Sequence, residues 1–129
     1  MHTFAAIAAL ALAAVPAAST APTTGFELAR TGGNIRPFTL RIDTAGVVRA
    51  TGAAPAHRRR LTKLQLAAIN RAAFVDGFQT LPVATLCRGT LPDVATLSIR
   101  VGGRTVRVHG SCLAGFNRLW TALSRAVRP

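Results

Sequence analysis

Hydrophobic and polar residues alternate over residues 25–52 in the pattern of three short strands. In the middle run, Phe38, Leu40 and Ile42 share one face, because successive side chains of a strand point to opposite sides. The segment DTAG at residues 43–46 has the composition of a tight turn. The pattern therefore predicts a small antiparallel meander with one apolar face.

A second alternating stretch, VATLSIRVGGRTVRVHG at residues 94–110, carries two runs around a Gly-Gly pair. A two-residue turn at these glycines places Ile99 opposite Val106 and Leu97 opposite Val108, so that the apolar side chains share one face. This self-consistent register predicts a β-hairpin. The same register pairs Ser98 with Arg107 and Thr96 with His109.

Residues 62–75 carry the start and stop signals of a helix. Thr62 and Gln65 form the capping-box pattern, in which each side chain bonds the backbone N–H of the other residue. The Asp-Gly pair at residues 76–77 predicts the end of this helix. The apolar stripe predicted to face the core consists of Leu61, Leu64, Ala68, Ala72 and Val75, with Ile69 beside it.

The segment that follows Ser111 has the period of an amphipathic helix, with Ser111 as its expected N-cap. Residues 51–60 and 77–93 show no period, and we expect loops there. These elements predict an α+β domain, in which two helices pack on one face of an antiparallel sheet of four or five strands, in the order ββ(β)αββα. The predicted core residues of the last helix are Leu113, Phe116, Leu119, Trp120, Leu123 and Val127.

Residues 1–21 have the pattern of a secretory signal peptide. An apolar run from Phe4 to Val15 is followed by Pro16 and by small residues. The run of about a dozen residues is shorter than the roughly 20 that span a bilayer. We therefore expect a single mature domain at residues 22–129, exported to the extracellular space or the periplasm, with no transmembrane segment.

The two cysteines of the chain, Cys87 and Cys112, both lie in the predicted mature domain. An isolated pair in an exported protein predicts a disulfide. That bridge removes the thiolate that Cys112 needs to act as a nucleophile. The alternative is a small hydrolase that uses His109, Ser111 and Cys112, which stand within four positions where a strand becomes a helix.

The scarcity of acidic residues in the predicted mature domain argues against catalysis. Three of its acids fall in turns or loops, where a short carboxylate commonly bonds its own backbone. His57 and His109 are too far apart for a metal-binding motif, and no glycine-rich phosphate loop is present. We expect no enzymatic activity, no metal and no cofactor. The four acidic residues are Glu27, Asp43, Asp76 and Asp93.

The chain is strongly basic, with sixteen Lys and Arg residues against four Asp and Glu residues and a formal net charge of +12. Such a charge attracts polyanions, but the arginines are spread over nearly every predicted element and only Arg58, Arg59 and Arg60 form a run. The chain has no Tyr, and no strand offers aromatic side chains for base stacking. We expect no specific nucleic-acid partner, and polyanion or cell-surface binding as an accessory protein is an alternative function.

Several segments of the chain resemble the emfourin-like proteins, small bacterial proteins named for inhibitors of protealysin- and thermolysin-type metallopeptidases. The resemblance implies an α+β fold and binding to an extracellular peptidase. The cysteine pair and the strong positive charge depart from the family pattern, and no inhibitory residue is carried over. The segments are ARTGG at residues 29–33, DTAGVV at 43–48, LxxLQLxxINxAxF at 61–74, FQTLP at 78–82 and PDVATLSIRVGGRTVRV at 92–108.

The combined prediction is a small, secreted, monomeric binding domain, with an extracellular peptidase as its partner. Contacts should come from loops, because the apolar faces are committed to the core. The loop that contains Cys87 is the first candidate, since a disulfide would hold it in one conformation. The predicted contact residues are Arg88, Thr90, Leu91 and Asp93 in this loop, with Arg58, Arg59 and Arg60 as the second candidate surface.

Overall fold

The computed structural model describes residues 25–129, so the predicted signal peptide at residues 1–21 lies outside the described residues. A short 3₁₀ turn, Phe78–Thr80, follows the first helix. The strands are β1 (Phe26–Thr31), β2 (Phe38–Ile42), β3 (Val48–Gly52), β4 (Ala84–Leu86), β5 (Thr96–Val101) and β6 (Arg104–His109), and the helices are α1 (Lys63–Val75) and α2 (Ala114–Val127).

The strands of this part of the chain form one six-stranded sheet in the order β3-β2-β1-β5-β6-β4. The first strand lies in the middle, where Leu28 pairs with Leu40 on one side and with Ile99 on the other. This central strand joins the meander to the hairpin. The α+β class is confirmed.

The predicted number of strands and their all-antiparallel arrangement were wrong, because β4 adds a sixth strand that runs parallel to β6. Its flanks are fixed by a bond from the Arg107 amide to the Val83 carbonyl and another from the Cys87 amide to the His109 carbonyl, both 2.9 Å. A strand of three residues is too short to show a two-residue period. Residues 77–93 were therefore wrongly predicted to be loop throughout.

The predicted hairpin register is confirmed at all four pairs, Thr96–His109, Leu97–Val108, Ser98–Arg107 and Ile99–Val106. In the meander, the Asp43 carboxylate accepts hydrogen bonds of 2.9 Å from the amides of Ala45 and Val47, so this side chain closes the turn as expected.

Both helices pack on the apolar face of the sheet. This arrangement buries alternate residues of β1, β2, β5 and β6 beneath the helices. The opposite face carries charged and polar side chains. The largest side chains that are fully buried are Phe78, Phe116, Leu28, Ile42, Ile99, Leu119, Leu123, Val106 and Val108.

Helix α1 presents a face to the core that overlaps the predicted one only in part: Ile69, predicted beside the stripe, is buried, and Ala72 is half-buried. Its buried residues are Leu66, Ile69 and Ala73, whereas Leu64 and Val75 are 83% and 69% exposed. The predicted stripe was counted at helical spacing from Leu61. Leu61 is buried, but it lies before the helix begins, so the positions counted from it do not mark the buried face. Both faces of α1 are apolar, and the period alone therefore did not identify the buried one. The capping box of Thr62 and Gln65 is confirmed.

Helix α2 buries Phe116, Leu119, Leu123 and Val127 as predicted, but it begins later than predicted. Its N-cap is Leu113, which makes no capping bond through its side chain. The prediction that Ser111 is the cap was wrong, because Ser111 and Cys112 belong to the turn that leads from β6 into the disulfide.

Candidate binding surface at the disulfide-tethered segment

The predicted disulfide is present between Cys87 and Cys112, with an S–S distance of 2.04 Å and Cα atoms 5.7 Å apart. It ties the end of β4 to the residues that precede α2. Cys87 is buried, and both cysteines of the chain are used in the bond. Neither sulfur is therefore a free thiolate, which the cysteine-nucleophile alternative requires.

His109 is engaged in holding the neighbouring loop. Its Nε2 atom donates a hydrogen bond of 3.0 Å to the carbonyl oxygen of Leu91. The backbone oxygen of Ser111 accepts a bond of 2.9 Å from the Asn117 side chain. Each residue of the proposed catalytic set therefore has a structural contact. His109 bonds the loop, the Ser111 backbone bonds α2, and Cys112 forms the disulfide.

The acidic residues of the described chain are dispersed. Glu27 pairs with Arg41 at 2.7 Å, and Asp76 pairs with Arg118 at 2.9 Å instead of closing its own turn. Within residues 25–129, no three His, Cys, Asp or Glu side chains are grouped closely enough to hold a metal ion.

Residues 83–94, which we name the tethered segment, are fixed at several points besides the disulfide. The Thr90 amide donates to the Cys87 carbonyl at 3.2 Å, and the Thr90 hydroxyl donates to the His109 carbonyl at 3.4 Å. The Asp93 carbonyl accepts a bond of 3.3 Å from the Asn34 amide, which belongs to the β1–β2 connection. Backbone bonds, side-chain bonds and one covalent link therefore attach the segment to neighbouring parts of the domain.

The tethered segment exposes apolar side chains to solvent. Val83, Leu86, Leu91 and Val94 are 56%, 75%, 64% and 42% exposed. Of these, only Leu91 was among the predicted contact residues. Val83, Leu86 and Val94 were missed, although Val83 and Leu86 lie between two prolines and outside any period, which was a usable signal of exposure.

The other predicted contact residues of the segment have unequal exposure. Arg88 lies exposed in the turn that follows the disulfide, and Asp93 is also exposed. Thr90 is half-buried because its hydroxyl bonds the His109 carbonyl. Thr90 therefore shapes the segment more than it offers contact area.

Strand β4 forms one edge of the sheet. Since the Val83 carbonyl and the Cys87 amide point towards β6, strand alternation turns the backbone groups of Ala84 and Leu86 outward. An outward row of backbone donors and acceptors is a template for an added strand. The exposed leucine and this open edge lie on the same three-residue strand.

The arginine run at residues 58–60 lies beside the opposite edge. The Val48 amide donates to the Arg59 carbonyl at 2.9 Å, and Arg60 forms a bridge with Val47, next to the edge strand β3. The Arg58 guanidinium donates to the Arg128 carbonyl. Five strand spacings of about 4.8 Å separate β3 from β4, or roughly 24 Å. The two predicted surfaces are thus not brought together.

The sheet face that the helices leave uncovered is basic. Arg41, Arg49 and Arg100 are exposed there in one row across the sheet, in which Glu27 stands between Arg41 and Arg100. The single carboxylate of Glu27 balances only one of the three arginine charges in this row. Arg107 adds a further exposed guanidinium on the same face.

Comparisons with known proteins give no match for this chain. No protein-family model matches it, and neither a curated protein nor a solved structure does. Within residues 25–129, no helix combines the length and apolar character that crossing a bilayer requires.

Proposed function

We propose that this protein is a secreted, non-catalytic binding domain whose tethered segment docks onto an extracellular protein, and that this partner is a peptidase. The observation that carries the proposal is that a segment held by a disulfide exposes four apolar side chains. Burying exposed apolar side chains in pockets of a partner removes their surface from water, which favours association.

Preorganisation supports this function. A loop that is already ordered loses little conformational entropy on binding, so more of the contact energy appears as affinity. The Cys87–Cys112 bond and the His109–Leu91 hydrogen bond fix both halves of the loop after β4.

The open edge of β4 supports a peptidase as the partner. Peptidase clefts bind extended peptides through main-chain hydrogen bonds, which is strand addition in chemical terms. The outward backbone groups of Ala84 and Leu86 offer such bonds, with the Leu86 side chain available for a pocket. The resemblance to emfourin-like proteins points to metallopeptidases of the thermolysin type, and the disulfide fits an oxidising extracellular compartment.

Capture from the culture medium of the source organism tests this function. The baits are the wild type, the double variant Leu86→Ser/Leu91→Ser, and Leu64→Ser as a control at a leucine on α1 that is even more exposed. We expect the wild type and Leu64→Ser to retain the same peptidase, and the double variant to lose it. Equal capture by all three baits would place the binding surface elsewhere.

The basic sheet face favours polyanion binding as a second function. The exposed arginines of β2, β3, β5 and β6 all lie on this face, with Glu27 as the acidic residue among them. Binding to heparin should then fall steeply with salt, and Arg49→Gln/Arg100→Gln should reduce this dependence. If the salt dependence falls only when Arg58, Arg59 and Arg60 are all replaced, the arginine run at residues 58–60 binds the polyanion instead.

A further inference from the structure

A cavity of about 500 Å³ lies between the sheet and the C-terminal half of α2. Its floor includes Leu28, Phe38 and Leu40 from the apolar face of β1 and β2, and Trp120 and Val127 line it from the helix. This volume is within the range of cavities that hold small organic ligands. The apolar side chains of this open cleft offer contact area to an apolar ligand.

Arg30 is a charged residue on the otherwise apolar face of β1. It pairs in register with Phe38 and Leu97, and its guanidinium carbon lies 6.0 Å from the centre of the Phe38 ring. The side chain lines the cavity and is half-buried. The ion pairs of residues 25–129 join Arg41 to Glu27 and Arg118 to Asp76, so none of them neutralises Arg30.

The remaining charges around the cavity have the same sign. Arg36 and Arg128 line it together with Arg30, and no Asp or Glu of residues 25–129 does so. An unpaired guanidinium favours a carboxylate, which it can bind through two parallel hydrogen bonds. The cavity therefore combines an apolar interior with a cationic entrance that lacks an internal counter-ion.

We propose that this cavity binds a free fatty acid, with its carboxylate on Arg30 and its hydrocarbon chain against Trp120 and the Phe38 side of the sheet. A second cavity of about 660 Å³ shares Arg30, Ile35 and Trp120 with the first and extends to the disulfide. This adjoining volume accommodates a longer chain. A bilayer surface is a poorer fit, because the apolar floor is recessed beneath the helix.

The fluorescence of Trp120 reports directly on the proposed site, because Trp120 is the one tryptophan of the chain and there is no tyrosine. The probe is decanoate, titrated below the concentration at which it aggregates. We expect a saturable change in emission. Decyltrimethylammonium, which has the same chain and the opposite charge, should give none. No response to decanoate, or an equal response to the cation, would overturn the proposal.

Two arginine variants separate a specific site from general attraction to anions. Arg30→Met should weaken decanoate binding roughly tenfold, because a charge-assisted bond is lost. Arg49→Gln removes the same charge from the opposite sheet face and should leave the affinity within about twofold. Equal weakening by both variants would overturn the proposal.

Two further experiments, a second arginine variant and a titration with lipid vesicles, test the same site. Arg36→Gln, at an exposed position where folding is not at risk, should also weaken binding. An affinity for decanoate that is unchanged by both Arg30→Met and Arg36→Gln would contradict the assigned site. A Trp120 response to anionic phosphatidylglycerol vesicles but not to monomeric decanoate would show membrane binding instead, and would overturn the proposal.

Discussion

The His109 side chain donates a hydrogen bond of 3.0 Å to the carbonyl oxygen of Leu91, 18 positions earlier in the chain. This bond joins the end of β6 to the turn of the tethered segment, on the far side of that turn from the disulfide. The disulfide and this hydrogen bond therefore hold the residues proposed to contact a partner.

Replacing His109 with Ala should loosen this turn without unfolding the domain. One hydrogen bond contributes about 1 kcal/mol to stability, so we expect a loss of roughly that size in chemical denaturation. Hydrogen exchange should become faster at residues 88–93 and remain unchanged at β1. Uniformly faster exchange over the whole sheet would show that His109 supports the global fold instead.

The disulfide should account for a large part of the stability of the domain. Closing a loop over a sequence separation of 25 residues gives about 3.5 kcal/mol in the loop-entropy model. Urea denaturation with and without reductant measures this difference. Mass spectrometry of unreduced protein should detect no alkylatable thiol. Two alkylated cysteines would remove the covalent tether and return Cys112 to consideration as a nucleophile.

Thr62 and Ser111 should respond differently to substitution by Ala, because only Thr62 caps a helix. Thr62→Ala should cost about 1 kcal/mol of stability through loss of its bond to the Gln65 amide. Ser111→Ala should change stability by less than about 0.5 kcal/mol. Thermal denaturation of both variants checks this, and a larger effect at Ser111 would contradict the helix start at Ala114.

Gly110 should tolerate no side chain. Its φ is 110°, and an added Cβ would lie 2.5 Å from Cys87 Cβ and also overlap the Thr90 hydroxyl. Gly110→Ala should therefore destabilise the domain by roughly 1–3 kcal/mol and disturb the geometry around the disulfide. Gly32→Ala is the matched control just after β1, because its φ of 73° is also positive and nothing lies within 4 Å of the added atom. Equal stability of the two variants would contradict the close packing at Gly110.

The hairpin and α2 could be predicted from the sequence because their patterns are long and agree with one another. Alternation on both sides of the Gly-Gly pair allowed one register, and that register is present. The apolar stripe of α2 contrasts with a polar opposite face. Helix α1 lacked this contrast, since Leu64 and Phe74 are apolar but exposed, and its buried face depends on where α2 packs.

The tethered segment could be predicted only in part. Two cysteines in a chain that the sequence predicts to be exported were enough to infer the disulfide. The bonds from His109 to Leu91 and from Thr90 to the His109 carbonyl join residues 18 and 19 positions apart and have no local signature. Strand β4 needs its neighbour β6 to exist at all, because three residues do not form a strand alone.

Titration of a thermolysin-type metallopeptidase with this protein tests whether the tethered segment is an inhibitory surface. We expect saturable inhibition by the wild type, about tenfold or greater weakening in Leu86→Ser/Leu91→Ser, and a change within about twofold in Leu64→Ser. Absence of inhibition by folded wild-type protein, or equal inhibition by the wild type and the double variant, would contradict it.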